Sequence, residues 1–183
     1  QRLAYALGAD REKYPIAAQN PAKLDVLARL LARHAQDQVL VIGQYVDQLQ
    51  QIAHYFDLPL ITGQTPIRER ERLFEAFRRS ETRSLVVSKV ANFSIDLPEA
   101  NVAVQVSGTY GSRQEEAQRL GRILRPKRSG SLAHFYTLVS HDTVDQDYAA
   151  NRQLFLTEQG YRYAILYADE IAAVAPDIDG VPA

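Results

Sequence analysis

Short apolar runs alternate along the chain with segments whose apolar residues recur every three or four positions. The run V-L-V-I at 39–42 is apolar on both alternating faces and ends at Gly43, which predicts a strand buried inside a parallel sheet. Leu49, Ile52 and Phe56 instead repeat with the period of a helix that buries one face. On this basis we predict strands over 39–42, 58–62, 84–88, 102–106 and 132–139, with an edge strand over 161–167.

Helices are predicted between these strands, and several of them open with recognisable start signals. We predict helices from Pro21 to about His34, over 46–56, from Thr65-Pro66 onward, from Ser112 to a stop at Pro126, and over 143–159. The last of them begins with Thr143 and Gln146 at the spacing of a capping box. In the helix after Pro66 we expect Ile67, Phe74 and Phe77 to face inward, with its Arg and Glu residues outward.

The regular alternation of strands and helices, joined by short connections, is typical of a doubly wound α/β sheet. Sheets of this kind bind their ligands at the carboxyl ends of the strands. The residues at those ends are Gly43-Gln44, Thr62-Gly63, Ser88-Lys89 and Ser107-Gly108. All of them except Lys89 are small or uncharged and polar, which suits a binding edge, although ordinary strand-to-helix turns favour the same residue types.

Composition indicates one globular domain. The 183 residues are enough for a single domain with its own core, and we predict that domain over 1–183, with a lead-in over about 1–19 and an irregular tail over about 168–183. The net charge is −1, so any contact with nucleic acid must come from local groups. The chain begins at Gln1 and contains no methionine, which suggests a piece of a longer protein.

Several kinds of site are excluded by residue type or spacing. The chain has no cysteine, which excludes disulfides and cysteine-ligated metals and fits a reducing compartment. Its four histidines show no ligand spacing, so we expect surface or hydrogen-bonded histidines and no metal site. No apolar run approaches the roughly 20 residues that span a bilayer. We therefore expect no membrane contact and a cytoplasmic location.

The predicted helix from Ser112 carries the most distinctive chemistry. Gln118, Arg122 and Arg125 are spaced i, i+4, i+7 and form one stripe, with Gly121 beside them. Two guanidiniums one turn apart suit a polyphosphate, because each presents a fixed fork of donors to phosphate oxygens. Cations near a helix C-terminus are also favoured by the helix dipole alone, so this stripe by itself leaves a solvated basic helix end open.

The rest of a phosphate-binding site is missing from the sequence. There is no G-x-x-x-x-G-K-[ST] loop and no G-x-G-x-x-G. The segment 165–170 (I-L-Y-A-D-E) resembles a magnesium-binding strand that ends in Asp-Glu, but without a phosphate loop such a pattern is usually an edge strand. Arginines without a phosphate loop suggest half of a composite site, with the other half on another domain or chain.

Two stretches resemble a known family. S-K-V-A-N-F-S-I-D-L-P-E-A (88–100) and Q-E-E-A-Q-R-L-G-R-I-L-R-P-K (114–127) resemble motifs V and VI in the second motor domain of superfamily 2 helicases, closest to the XPB branch. The run 39–44 resembles motif IV, and 62–65 the loop that follows it. Where eukaryotic members tend to have Gly-Asp, this chain has Ala91-Asn92, which hints at a prokaryotic, nucleoid-associated member.

The resemblance implies a RecA-like fold and a shared ATP site. ATP and Mg²⁺ would be bound mainly by an N-terminal motor domain of the same polypeptide, and this chain alone would not hydrolyse ATP. Arg122 and Arg125 would act as arginine fingers on the γ-phosphate, and Gln118 would position them or the attacking water. Gly121 would let the nucleotide approach, and Asp96 would contact the ribose or couple the nucleotide to DNA.

The resemblance also implies a DNA partner, as a single strand or a fork, bound by a monomeric domain. The residues that would hold the DNA backbone are Gln44, Thr62, Gly63, Thr65, Ser88 and Lys89. Hydroxyls, amides and backbone N–H groups suit a motor that grips phosphate without reading bases. Two other classes stay open: a non-catalytic nucleic-acid-binding module that acts with a partner ATPase, and a small metal-dependent enzyme that uses Asp169 and Glu170.

Overall fold

Among the residues that the structure describes, five parallel strands form one sheet in the order β2-β3-β1-β4-β5. A computed structural model of the protein describes residues 2–88, 100–108, 133–150 and 164–172. The strands are β1 (Val39–Gly43), β2 (Leu60–Ile61), β3 (Ser84–Ser88), β4 (Val102–Gln105) and β5 (His134–Thr137). The helices are α1 (Arg2–Leu7), α2 (Asp10–Ala18), α3 (Ala22–Arg33), α4 (Val46–Phe56), α5 (Ile67–Arg78) and α6, which begins at residue 144 and is described as far as 150.

An apolar cluster covers each face of the sheet, and successive side chains of β1 alternate between the two clusters. Val39 and Val41 pack in one cluster with residues of α3 and α4. Leu40 and Ile42 pack in the other, where Phe74 and Phe77 of α5 and the strand residues Leu85 and Val87 are also buried. This arrangement confirms the predicted doubly wound α/β sheet.

Ile67 faces solvent, so its predicted inward orientation is wrong. Its side chain is 69% exposed, whereas Phe74 and Phe77 are buried as predicted. Ile67 is the first residue of α5, just beyond the short strand β2. The buried side chain in this part of the helix is Arg70, which donates to the carbonyls of Thr62 and Thr65.

The predicted sixth strand is also wrong over its described part, because residues 164–167 form no strand; residues 161–163 lie outside the described ranges. Backbone carbonyls in this region accept bonds from α3 instead of from a neighbouring strand: Arg29 donates to Ala168 and Arg33 to Ile171. A short 3₁₀ helix follows over Glu170–Ala172, and its Ile171 is the buried residue.

The start of α6 uses the predicted residues with different bonding partners. Thr143 Oγ1 accepts from Asp145 N and donates to the Ser140 carbonyl, and Gln146 Oε1 accepts from Asp142 N. Both side chains therefore cap the start of the helix. In a capping box Thr143 Oγ1 would accept from Gln146 N and Gln146 Oε1 from Thr143 N, whereas here the donors are Asp145 N and Asp142 N. Asp142 has φ 57, and this left-handed conformation redirects the chain before the helix.

The amino edge of the sheet, where the strands begin, is closed by a polar network. Gln38 N donates to Asn101 Oδ1 over 2.9 Å, and Asn101 Nδ2 donates to Asp37 Oδ1. The buried His34 ring lies 2.8 Å from Asp37 Oδ2 through Nδ1 and 2.9 Å from the Tyr136 hydroxyl through Nε2. His34 is thus a satisfied histidine, as predicted for the histidines of this chain.

Candidate functional site at the carboxyl edge of the sheet

The parallel register brings the predicted strand ends into one row. Gly43 of β1 pairs with Ser88 of β3, and Ile61 of β2 pairs with Val87, which places Thr62 next to Ser88. On the other side of β1, Ile42 pairs with Gln105 and the backbone continues to Ser107. At about 4.8 Å between strands, the row from Thr62 to Ser107 extends over roughly 14 Å. The edge therefore collects small and polar groups on four adjacent strands.

Ser88 is the most buried polar side chain in this row. It is 1% exposed, and its Oγ has no hydrogen-bond partner within the described part of the chain. A buried hydroxyl without a partner costs free energy, so such groups in native proteins usually belong to a site that is completed by something else. Its position at the carboxyl end of β3 makes it a strong candidate for a ligand contact.

The loop after β2 is held in a tight turn by its own threonines. Thr62 N donates to Thr65 Oγ1 over 2.9 Å, and Gln64 N donates to Thr62 Oγ1 over 3.2 Å. Both hydroxyl oxygens thus accept loop amides, which leaves their O–H hydrogens as possible donors to a ligand. The N–H of the exposed Gly63 makes no hydrogen bond to residues 2–88 or to the other described ranges.

The side chain of Arg70 restrains this loop by hydrogen bonds to its backbone carbonyls. Its guanidinium is buried, and its Nη2 lies 3.2 Å from the Thr65 carbonyl and 3.4 Å from the Thr62 carbonyl. A planar guanidinium that spans two carbonyls fixes both ends of the turn. The sequence did not reveal this role, because Arg70 is one of several arginines in α5 and all of them were predicted to face outward.

The end of β1 is coupled to the end of β4 through a serine hydroxyl. Gln44 N donates to Ser107 Oγ over 2.9 Å, while the Gln44 side chain is exposed. The chains can approach because Gly43 has no side chain: a Cβ there would lie 2.7 Å from Leu49 Cδ2 and 3.0 Å from Ser107 Oγ. Gln44 is therefore presented to solvent from a fixed backbone.

Tyr45 adds an aromatic hydroxyl beside Gln44. It is half-buried at the start of α4, and burial raises the pKa of its phenol, with a further contribution from the negative charge of Asp145. The phenol therefore remains protonated at neutral pH and can donate a hydrogen bond. It was missed in the sequence because a single Tyr after a strand carries no recognisable spacing.

The described ranges contain only part of the predicted site. Gln44, Thr62, Gly63, Thr65 and Ser88 lie at the carboxyl edge as expected. The other predicted residues lie outside these ranges: Lys89, Asp96, Gln118, Gly121, Arg122 and Arg125.

Asp169 and Glu170 do not follow a strand. Glu170 Oε2 instead accepts the backbone N–H of Tyr167, which removes the support for a strand that ends in a metal-binding Asp-Glu pair. No cluster of three metal-ligating side chains occurs among the residues that the structure describes. Within the same ranges, none of the helices has the length and apolar character needed to cross a bilayer.

Sequence comparisons place this chain among helicases. A family model described as the ERCC3/RAD25/XPB C-terminal helicase matches residues 4–178. The chain is 60% identical over 181 residues to the DNA 3'-5' helicase XPB of Kineococcus radiotolerans, covering 99% of this chain and 32% of that protein. It is 56% identical over 175 residues to the DNA 3'-5' helicase XPB of Mycobacterium tuberculosis, covering 96% and 32%. The chain thus spans about a third of the length of these bacterial relatives.

Comparison with solved structures supports the fold. Saccharomyces cerevisiae Dbp5 bound to RNA and ADP BeF3 aligns with a TM-score of 0.68 at 17% identity, covering 82% of this chain and 40% of that one. At this identity the likeness concerns architecture alone. Together with the parallel sheet order, it confirms the predicted RecA-like class.

Proposed function

The chain belongs to the ERCC3/RAD25/XPB family of C-terminal helicase domains, and we propose that it forms the second motor domain of an ATP-dependent DNA helicase or translocase. The family match over residues 4–178 supports the reaction class. The structural observation that carries the DNA contact is the buried Ser88 hydroxyl, which lies in the row of strand ends without a partner among the described residues. We further propose that the domain acts as a monomer in the nucleoid.

On this proposal the nucleotide is shared between two domains. ATP and Mg²⁺ would be held mainly by the N-terminal motor domain, where the metal would supply positive charge to the phosphates. Arg122 and Arg125 supply positive charge to the γ-phosphate from this chain, and Gln118 orients them or the attacking water. Gly121 leaves room for the nucleotide, and Asp96 couples it to the DNA side of the domain.

The DNA backbone lies along the carboxyl edge of the sheet. Gly63 offers an exposed N–H that bonds to none of the described residues, Ser88 offers its buried hydroxyl, and Gln44 offers an exposed amide on a fixed backbone. Thr62 and Thr65 contribute hydroxyl donors, and Lys89 contributes the cation. Apart from Lys89 these donors are neutral, and the whole set can bind phosphate oxygens without base readout, as a translocating motor requires.

Replacing one arginine in the intact, longer protein tests this function. Arg122→Ala should reduce DNA-stimulated ATP turnover by about 10³-fold or more, because an arginine finger stabilises the charge of the transferring phosphoryl group. DNA affinity should stay nearly unchanged. Arg119→Ala makes the same charge change three residues earlier and is the matched control, with turnover close to that of the parent. Full turnover in Arg122→Ala would rule out the finger assignment.

The same assay addresses the binding-only alternative. A nucleic-acid module that acts with a separate ATPase would bind DNA in the intact protein, yet show no ATP turnover with or without DNA. DNA-stimulated turnover by the purified single polypeptide would exclude this alternative.

A further inference from the structure

The two N-terminal helices are hydrogen-bonded to both flanks of the stretch 109–132. On one flank, the Tyr14 hydroxyl donates to the carbonyl of Gly108 over 2.7 Å in a buried contact. On the other flank, Ser140 Oγ donates to the Ala17 carbonyl over 2.7 Å, and Val144 N donates to the Tyr5 hydroxyl over 2.9 Å. Helices α1 and α2 thus connect the residues just after β4 with those just after β5.

A buried ion pair joins the same two flanks. Lys23 Nζ lies 2.9 Å from Asp145 Oδ2, and the side chains are 7% and 1% exposed. Lys23 Nζ also donates to the Val106 carbonyl over 3.0 Å, and Asp145 Oδ2 accepts from Ser140 N over 3.0 Å. One ammonium and one carboxylate therefore fix the backbone on each side of 109–132.

These contacts fix backbone positions in addition to burying apolar surface. Replacing a buried ion pair with apolar residues is often neutral or stabilising, so such a pair is weak evidence for a stabilising role. The Tyr14 ring already packs edge-on against Tyr148, with ring centroids 4.8 Å apart, and that contact does not need the hydroxyl. What the hydroxyl and the ion pair add is a defined position for the backbone at Val106, Gly108 and Ser140.

We propose that Tyr14, Ser140 and the Lys23–Asp145 pair are positioning residues for ATP turnover. They hold both ends of the stretch that carries Gln118, Arg122 and Arg125, and so determine how these side chains meet a nucleotide on the other motor domain. The inference rests on the function proposed for Arg122 and Arg125. A misplacement of about 1 Å far from the reacting atoms can cost about 10²-fold in rate, so loss of one tie has a measurable effect.

The test compares Tyr14→Phe with Tyr55→Phe in the intact, longer protein. Tyr14→Phe removes the bond to Gly108 and keeps the ring; Tyr55 is exposed on α4 and is the matched control. Tyr14→Phe should lower kcat for DNA-stimulated ATP hydrolysis by about tenfold with an unchanged KM for ATP, and any fall in melting temperature should be too small to unfold the protein at the assay temperature. Tyr55→Phe should change none of the three. Ser140→Ala, which releases the other flank from Ala17, should act in the same direction.

Three outcomes would overturn the proposal. One is a kcat of Tyr14→Phe and Ser140→Ala within about twofold of the parent, because a positioning role predicts a clearly larger loss. The second is a fall in melting temperature that accounts for the lost turnover, since it would assign a purely structural role. The third is full turnover in Arg122→Ala in the same assay, because the proposed function itself would then fail. An inactive Arg122→Ala beside an unaffected Tyr14→Phe would reject the positioning role alone.

Discussion

At the amino edge of the sheet, Asp37, Gln38 and Asn101 bond to one another, whereas at the carboxyl edge Ser88 and Gly63 keep polar groups unused within the described chain. The two edges are built from the same strands, so this difference does not come from the sheet itself. Buried polar groups are normally satisfied, and leaving the buried Ser88 hydroxyl without a partner among the described residues forgoes stability at this edge, whereas the exposed Gly63 N–H is accessible to solvent or a ligand. The contrast indicates that the amino edge serves the fold and that the carboxyl edge is available for a ligand.

The largest expected effect on stability is at the closed edge. Asn101→Leu removes the acceptor for Gln38 N and the donor for Asp37, both at a site where Asn101 is buried. We expect a loss of about 2–4 kcal/mol in the free energy of unfolding, because two polar groups lose their partner. Chemical denaturation measures it, with Gln51→Leu on the exposed side of α4 as the control. Turnover per folded molecule should stay constant; a large loss of turnover would contradict the division between edges.

A substitution at Gly43 should affect both the stability of the fold and the binding of DNA. A Cβ there meets Leu49, Val106 and Ser107 at 2.7–3.0 Å, and Leu49 is fully buried and has little room to move. Gly43→Ala should therefore cost about 1–3 kcal/mol in unfolding free energy through overpacking. It should also weaken DNA binding, because the Gln44–Ser107 bond is displaced. Measurement of both quantities in one variant checks this, and a change in only one of them would contradict it.

Ser88→Ala should separate function from stability most clearly. Removal of a buried hydroxyl that has no partner among the described residues should leave unfolding free energy unchanged or raise it by up to about 1 kcal/mol. DNA affinity of the intact protein should fall by about ten- to a hundredfold, because one hydrogen bond to a charged phosphate contributes about 1.5–3 kcal/mol. Ser84→Ala at the opposite end of β3 is the matched control. Equal affinity of Ser88→Ala and the parent would remove Ser88 from the proposed DNA contact.

The smallest expected effect is on the pH dependence of the unfolding free energy in alkaline solution, through Tyr136 at the amino edge of the sheet. Burial raises the pKa of Tyr136, with the charge of Asp37 acting in the same direction and Arg33 against it. The folded state therefore holds this proton more tightly than the unfolded chain, so its contribution to stability is complete below about pH 10 and is lost as pH rises through the higher folded pKa. Tyr136→Phe should make unfolding free energy less dependent on pH above about 10, measured by denaturation. An unchanged slope would contradict this.

Sequence patterns predicted the elements whose residues are decided by local burial. Strand β1 and helix α4 lie where the apolar runs placed them, because each buries a face that the pattern alone defines. The inward orientation predicted for Ile67 and the strand predicted over 164–167 were wrong because tertiary contacts decided these regions. Arg70 occupies the first buried position of α5, and the segment after 167 is hydrogen-bonded to α3 through Ala168 and Ile171.

The candidate site was predictable in part for the same reason. Parallel register follows from the alternation of elements, and it brings Gln44, Thr62 and Ser88 into one row. The pair Lys23–Asp145 was not visible, because its members are 122 residues apart and neither stands in a recognisable motif. The nucleotide roles of Arg122 and Arg125 stay predictions that the variants above test.

The order of the strands also affects synthesis of the protein. The central strand β1 has neighbours only in β3 and β4: residue 39 pairs with residue 84, 45 positions further along, and with residue 102. At roughly 5–20 residues per second, a ribosome takes about 2–9 s to make the first of these partners. During that interval the apolar run V-L-V-I-G has no strand on either side. The parallel ladder of β1 can therefore form only after close to half of this chain has been translated, and until then its apolar run has no sheet partner.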